Sequence, residues 1–268
     1  TKASLEIDPK QRLSLWASGY EGDWNASGQI PRRAVKDGRL NWFGAIDPTE
    51  GGDSSRYNFN LLYRYDISKT QKLKFGAWAS YYDLDLFSNF TFFLNDPVLG
   101  DGIEQRDKRW LYGTNFQYQS HLGLFGIPSI MTFGFDTRFD HPKVLLARQV
   151  KRDPFEKITD TELDEFSLSP YLKFDVFFSE WLRFVWGVRG DYFSYDVDDR
   201  LKEGAGGTLD DVIDSYKANL IFGPWRHTEF YLNFGTGFHS NDARAVVTDS
   251  SLESLPRAYG YEVGVRSK

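Results

Sequence analysis

Apolar and polar residues alternate with a period of two along much of this chain. The clearest case is residues 228–240, TEFYLNFGTGFHS. One face of this stretch carries Phe230, Leu232, Phe234, Thr236 and Phe238, and the other carries Tyr231, Asn233, Gly235, Gly237 and His239. Strands of soluble sheets usually span about 5 to 6 residues, whereas a tilted transmembrane strand needs about 9 to 11. The stretch therefore predicts a β-strand that crosses a membrane.

The same alternation recurs in pairs of segments along the whole chain. Short turns are predicted at residues 8–10, 68–70, 121–126, 179–180 and 223–224. Long polar loops are predicted at residues 21–53, 83–105, 141–164 and 196–211, and after residue 240. Roughly eleven strands with alternating short and long connections indicate an all-β fold, a transmembrane antiparallel up-and-down β-barrel with its turns in the periplasm.

The aromatic content supports a membrane barrel. Phe, Tyr and Trp make up 17% of the 268 residues, and outer-membrane barrels concentrate such residues in two interfacial belts. The sequence has no apolar run of about 18 residues, which excludes a transmembrane helix. The low mean hydropathy of -0.49 is compatible with a barrel, because alternation hides the membrane signal.

Several chemistries are excluded by composition. The net charge of -6 gives no basic surface for nucleic acid, and the chain has no cysteine. Its four histidines include no close-spaced pair, so we expect neither a metal site nor a cofactor. His239 and Ser240 are adjacent and would point to opposite faces of a strand, so they form no nucleophile and base pair. We therefore expect that the protein is not an enzyme.

The two ends of the chain suggest a fragment. The first residues carry neither a charged segment nor an apolar segment of a signal peptide, and the last residues fall within a strand. An odd number of strands with open edges cannot close in a membrane. We therefore expect residues 1–268 to form one partial barrel domain that lacks both barrel ends.

Two motifs carry a family resemblance, NFGTGFHSNDARA at residues 233–245 and LPRAYGYEVGVRSK at residues 255–268. They resemble the barrel of TonB-dependent outer-membrane receptors. The resemblance implies a barrel of about 22 strands closed by an N-terminal plug. We expect the plug and the TonB box to lie outside residues 1–268.

The resemblance also implies a function, the active import of a scarce nutrient such as a ferric siderophore or cobalamin. The location would be the outer membrane of a Gram-negative bacterium. The partners would be membrane lipid, a small ligand such as a metal chelate, and the TonB complex, reached through the missing N-terminal region. A passive outer-membrane porin is the alternative.

The candidate functional residues form three groups. Inward-facing strand residues are expected to meet the ligand or the plug, or to pair with each other: Arg64, Asp136, Arg138, Arg183, Arg189 and Asn233. Residues beyond the last long strand are expected to anchor a loop or to touch the ligand: His239, Asn241, Asp242 and Arg244. An aromatic loop cluster is expected to pack between loops, touch lipid or grip the ligand: Phe87, Phe90, Phe92 and Phe93.

Overall fold

The computed structural model describes residues 1–202 and 204–267 of the chain. In this part, eleven antiparallel strands form one sheet, and their order in the sheet is their order in the sequence. The strands are β1 Lys2–Asp8, β2 Gln11–Asn25, β3 Gly51–Tyr65, β4 Gln71–Ser88, β5 Ile103–Leu124, β6 Ile127–Val150, β7 Asp153–Ser179, β8 Leu182–Asp199, β9 Gly207–Trp225, β10 Thr228–Phe238 and β11 Arg257–Ser267. The predicted up-and-down arrangement of eleven strands is confirmed, and β1 and β11 form the two edges of the sheet.

Two short helices lie in the connections at one end of the sheet. Helix α1 spans Arg32–Lys36 between β2 and β3, and α2 spans Ala243–Thr248 between β10 and β11. Among the described residues, no helix has both the length and the apolar character needed to cross a membrane.

Aromatic side chains form two belts on the outer face of the sheet. In the upper belt, toward the long connections, Tyr57 stacks on Tyr81 at a ring distance of 6.4 Å, and Tyr81 contacts Trp110 at 4.9 Å. In the lower belt, at the end with the short turns, Trp181 stacks on Trp225 at 6.3 Å. Tyr65 lies near the lower belt, eight residues after Tyr57 on β3. This separation is about 26 Å along the strand and about 20 Å along the axis of a barrel with tilted strands. This height is comparable to the apolar band of an outer-membrane barrel, about 25 Å.

The prediction of a loop at residues 141–164 is wrong. Strands β6 and β7 run through this segment and meet in a turn at Lys151 and Arg152, both of which have positive φ angles, 54° and 70°. The segment is polar because its outer face carries ion pairs instead of apolar residues, such as Lys143 with Glu162 at 2.7 Å. Above the lipid, a strand no longer needs an apolar face, so its sequence looks like a loop.

Three other long loops are shorter than predicted, because the polar ends of their strands look like loops in the sequence. The connections span residues 26–50, residues 89–102 and, in the described part, residues 200–202 and 204–206; the last one spans residues 239–256, close to its prediction. Two predicted turns also shift, because β5 continues to Leu124 and β9 passes through Gly223 and Pro224 to Trp225. The predicted turns at residues 8–10, 68–70 and 179–180 are confirmed within a residue or two.

The β6–β7 turn provides a test of the membrane orientation. We expect the full-length variant Lys151→Cys to react with an impermeant maleimide on intact cells, because Lys151 is exposed at the end that carries the long connections. The exposed turn residue Glu180 lies at the opposite end, so Glu180→Cys should react only after the cells are opened. Equal labelling of both variants on intact cells would show that the orientation is wrong.

Candidate functional site

The inner face of the sheet holds a cavity of about 490 Å³ between β4 and β10. Its polar lining includes what we call the inner-wall cluster: Asp136, Arg138, Asp140, Glu165, Arg189 and Asp191. Trp78, Phe193 and Phe238 supply aromatic surface beside these charges. The alternation predicts Phe238 on the apolar face of β10, but in the structure its ring meets Phe193 of the inner face at a centroid distance of 5.7 Å. The combination of a few charged groups with aromatic walls is typical of a ligand-binding surface.

Side chains of β6 and β8 meet in the inner-wall cluster because the two strands flank β7. Arg189 donates from Nη1 to Asp136 Oδ2 at 3.0 Å and from Nε to Asp191 Oδ1 at 2.8 Å. On β6, the Nε of Arg138 lies 3.1 and 3.0 Å from the two carboxylate oxygens of Asp140. Each guanidinium is therefore held by a carboxylate two residues away on its own strand, which fixes its position on the wall.

Asp191 is the most deeply buried member of the inner-wall cluster, with 1% of its surface exposed. One oxygen binds Arg189, and Oδ2 has no hydrogen-bond partner among the described residues. A buried carboxylate oxygen without a hydrogen-bond partner costs folding free energy. The site therefore favours a hydrogen-bond donor supplied from outside the wall. The cluster contains four carboxylates and two guanidinium groups, which gives the cavity a negative balance.

A second set of contacts, the loop anchor, is formed by Asn241, Asp242 and Arg244. The Nδ2 of Asn241 donates to the Glu253 carbonyl at 2.6 Å, across the base of the loop at residues 239–256. Asp242 is the N-cap of α2 and accepts from the Arg244 backbone N–H at 2.9 Å and from Arg244 Nη2 at 2.6 Å. The side-chain hydrogen bond from Arg244 lowers the pKa of the Asp242 carboxyl, so the cap stays ionised at neutral pH.

The loop at residues 239–256 packs against the inner face of the wall. Ala243 and Val246 of α2 are both 3% exposed, and Ala243 joins a small apolar core with Tyr195 of β8 and Leu163 of β7. The hydroxyl groups of Tyr195 and Ser240 lie 3.3 Å apart. The loop therefore occupies part of the lumen at its outer end.

The predicted aromatic cluster divides in the structure. Phe87 is 9% exposed and lies under the guanidinium of Arg152 at 5.1 Å, whereas Phe90 and Phe93 are 71% and 59% exposed. Phe92 has a positive φ of 60° and is half-buried in the same loop. The four rings therefore do not form one packed group.

Arg152, in the turn between β6 and β7, links this turn to neighbouring outer connections. Sequence reasoning missed this role. Besides its contact with Phe87, Arg152 donates from Nε to the Thr49 carbonyl at 2.7 Å. The loop at residues 26–50 is also joined to the next one, because Asn89 Nδ2 donates to Asp47 Oδ2 at 3.0 Å. These contacts tie three outer connections together.

The remaining predicted residues lie outside the inner-wall cavity. Arg64 lies near the turn end of the wall, and the Nε of Arg183 is buried without a partner among the described residues. Asn233 donates to Glu262 Oε2 at 2.8 Å on the neighbouring strand. For His239, the contact described is its backbone N–H with the Pro256 carbonyl at 3.1 Å.

Sequence reasoning also missed Asp140 and Glu165, which complete the inner-wall cluster. Asp140 has a signal in the sequence, since it stands two residues after Arg138 and therefore on the same face of a strand. The prediction omits it because it places the start of a loop at residue 141. In the described part of the chain, no group of three or more His, Asp or Glu residues is placed to hold a metal ion.

Comparisons with known proteins agree on the architecture. Residues 4–267 match the family model described as TonB dependent receptor-like, beta-barrel. No curated protein sequence matches the chain.

Three solved structures illustrate the similarity in fold. The unliganded ferric citrate transporter FecA superposes with a TM-score of 0.85 at 12% identity, over 99% of this chain and 40% of that one. The siderophore receptor PiuA from Acinetobacter baumannii gives 0.73 at 11% identity, over 98% of this chain and 46% of that one. The copper transporter OprC gives 0.72 at 11% identity, over 100% of this chain and 42% of that one. The chain thus spans less than half the length of each of these proteins.

Proposed function

This chain belongs to the TonB-dependent receptor-like β-barrel family, and we propose that it forms part of the wall of a receptor that imports a scarce ligand across the outer membrane of a Gram-negative bacterium. The family comprises transport receptors and not enzymes. The apolar outer face between two aromatic belts supports the proposed contact with membrane lipid.

The ligand class we favour is a ferric siderophore or a related metal chelate. Ferric citrate, a siderophore and copper appear in the names of three proteins with this fold. At identities of 11 to 12%, these names support a class of cargo and not a particular compound. Cobalamin is the second ligand class that the family resemblance implies.

One observation carries the proposal, the packing of the loop at residues 239–256 into the lumen. A passive porin needs an open water-filled path, whereas this loop places α2 against the inner face and narrows the outer end. The aromatic and charged surface of the inner-wall cavity lies beside it and includes Phe238 at the end of β10 and Ser240 at the start of the loop. The loop and the inner-wall cavity together form what we call the vestibule, a chamber that binds a ligand before the ligand is transported.

Within this vestibule we assign different roles to the candidate residues. Arg138, Arg189 and Asp136 present polar groups to the ligand or to a segment within the lumen. Asp242 and Arg244 hold the loop in place through the capped end of α2. The exposed rings of Phe90 and Phe93 offer apolar surface at the outer rim.

The variant Val246→Asp tests the role of the loop in ligand binding. Val246 is 3% exposed, and a carboxylate buried there without a partner would detach α2 from the wall. We expect cells that carry the full-length variant to bind iron-loaded citrate or an iron-loaded catecholate siderophore at least about tenfold more weakly, equivalent to about 1.4 kcal/mol. Binding is measured with radioactive iron at low temperature, which excludes transport.

The matched control is Ser250→Asp, which adds the same charge at an exposed position of the same loop. It should leave binding unchanged. If Val246→Asp folds, reaches the membrane and binds these probes as well as the parent protein, the loop does not form the vestibule. If the parent protein binds neither probe, the proposed ligand class is wrong.

A further inference from the structure

Two carboxylates face each other in the inner-wall cavity, and the wall neutralises only one of them. Asp140 of β6 and Glu165 of β7 are directly opposite in the sheet. Directly opposite residues in an antiparallel pair have Cβ atoms about 4.5 to 5.5 Å apart, and like charges in such positions are destabilising. Asp140 accepts hydrogen bonds from Arg138. Among the described residues, no cation forms an ion pair with Glu165.

The other arginines near Glu165 are engaged with carboxylates of their own. Arg109 of β5 donates from Nε to Asp107 Oδ1 at 2.7 Å, and Arg244 of α2 donates from Nη2 to Asp242 Oδ2 at 2.6 Å. In both pairs the carboxylate stands two residues away, as in the inner-wall cluster. These pairs are balanced in charge, so the excess of carboxylates in the inner-wall cluster remains.

Asp191 supplies a second carboxylate that the wall pairs incompletely. Its side chain is 1% exposed, and its Oδ2 has no hydrogen-bond partner among the described residues. Phe193 stands two residues after Asp191 on β8, and Tyr195 stands two residues further, directly opposite Glu165. Two residues along one face of a strand span about 6.6 Å. The ring of Phe193 therefore lies between Asp191 and Glu165, which line the same cavity.

Aromatic ring faces accompany these carboxylates. The rings of Phe193 and Phe238 meet edge to face, with a centroid distance of 5.7 Å, and both side chains are half-buried in the cavity lining. In the part of the chain that the structure describes, the cation–π contacts involve neither ring. An aromatic face attracts a cation within about 6 Å of its centre. The cavity thus combines negative charge with ring faces that no arginine or lysine of the wall covers.

This combination favours an organic cation over a bare metal ion. A metal ion such as Ca²⁺ needs about 6 to 8 oxygen ligands. In the described residues, no group of three or more His, Asp or Glu is placed to hold a metal ion. An ammonium group, in contrast, donates hydrogen bonds to a carboxylate and lies against an aromatic face at the same time.

On the basis of the proposed function, we propose that the inner-wall cavity binds an ammonium group carried by the imported metal chelate. The ammonium group donates to the Glu165 carboxylate, and its neighbouring CH₂ groups lie against Phe193 and Phe238. Asp140 and Asp191 keep the cavity negative and add to the attraction. The receptor therefore selects, among chelates of one metal, those that carry a free amine.

Two iron-loaded probes that differ at one amine test this selectivity. One is a catecholate siderophore with a free primary amine, and the other is the same compound acetylated on that amine. Binding to cells that carry the full-length protein is measured with radioactive iron at low temperature. We expect the amine form to bind at least about tenfold more tightly, because acetylation removes the charge.

The parent protein alone separates this inference from the proposed function. Equal binding of the two forms, or tighter binding of the acetylated form, would overturn the ammonium site and leave the receptor standing. Binding of neither form would overturn both.

The variant Glu165→Gln assigns the selectivity to the inner-wall cavity. It preserves the size of the side chain and removes the repulsion from Asp140, so the sheet should fold as before. We expect the amine form to bind this variant about tenfold more weakly than the parent, with the acetylated form unchanged. The matched control is Asp164→Asn, which neutralises the preceding residue on the outer face of β7, where it contacts His141. The control should bind both forms as the parent does.

Two results with the variants would contradict the assignment. A preference for the amine form that survives in Glu165→Gln would place the ammonium group outside this cavity. An equal loss of both forms in Glu165→Gln, with Asp164→Asn unaffected, would show that Glu165 supports the wall and does not contact the ammonium group.

Discussion

Replacing Leu61 by Arg is expected to destabilise the folded barrel by about 2 to 4 kcal/mol. Leu61 lies midway between Tyr57 and Tyr65 on the outer face of β3, opposite Leu15 and Ala77 of the neighbouring strands. A guanidinium at this level has neither water nor a carboxylate within reach, because the apolar band surrounds it. It must leave the hydrocarbon or draw water into it, and both cost free energy.

The matched control moves the same substitution by one residue. Asn60 points to the inner face, opposite Trp16 and Trp78, where an arginine can reach water and lie against either ring. We expect Asn60→Arg to cost well under half as much as Leu61→Arg. The free energies of unfolding are measured by denaturant titration of the full-length protein in lipid bilayers. Equal costs for the two variants would show that the inner and outer faces are assigned wrongly.

The part of the fold within the membrane was predictable from the sequence because lipid imposes a strict rule there. Every second residue of β3 from Tyr57 to Tyr65 must be compatible with hydrocarbon, and the alternation is plain. Above the membrane the rule no longer applies. The outer faces of β6 and β7 carry pairs such as Lys143 with Glu162, so these strands could not be told from a loop.

The inner-wall cluster was partly predictable for the same reason. Alternation places Asp136, Arg138 and Arg189 on the inner face, and neighbouring strands then bring them together. The pairing of Arg189 with Asp136 depends on strand register across 53 residues of sequence, which alternation alone does not set.

The contacts that join the outer connections to each other and to the wall were not predictable. Arg152 binds the carbonyl of Thr49 across 103 residues. The burial of Val246 in α2 depends on how the loop folds back onto the wall. Such contacts arise from tertiary packing and leave no periodic signal in the sequence.

Energised uptake is the second large effect that we expect. The family fold encloses a wide lumen, and in the proposed receptor a ligand bound in the vestibule can pass only when energy delivered through TonB opens the path. Loss of that energy should leave binding intact and stop transport. A porin would respond differently, because diffusion through an open channel needs neither TonB nor a proton motive force.

The most direct measurement is the uptake of iron-loaded citrate or an iron-loaded catecholate siderophore by cells that depend on the complete receptor. We predict that uptake saturates with ligand concentration and falls to background when TonB is deleted or the proton motive force is collapsed. Surface binding at low temperature should persist in both cases. Uptake that continues without TonB and rises linearly with concentration would contradict the receptor and indicate a porin.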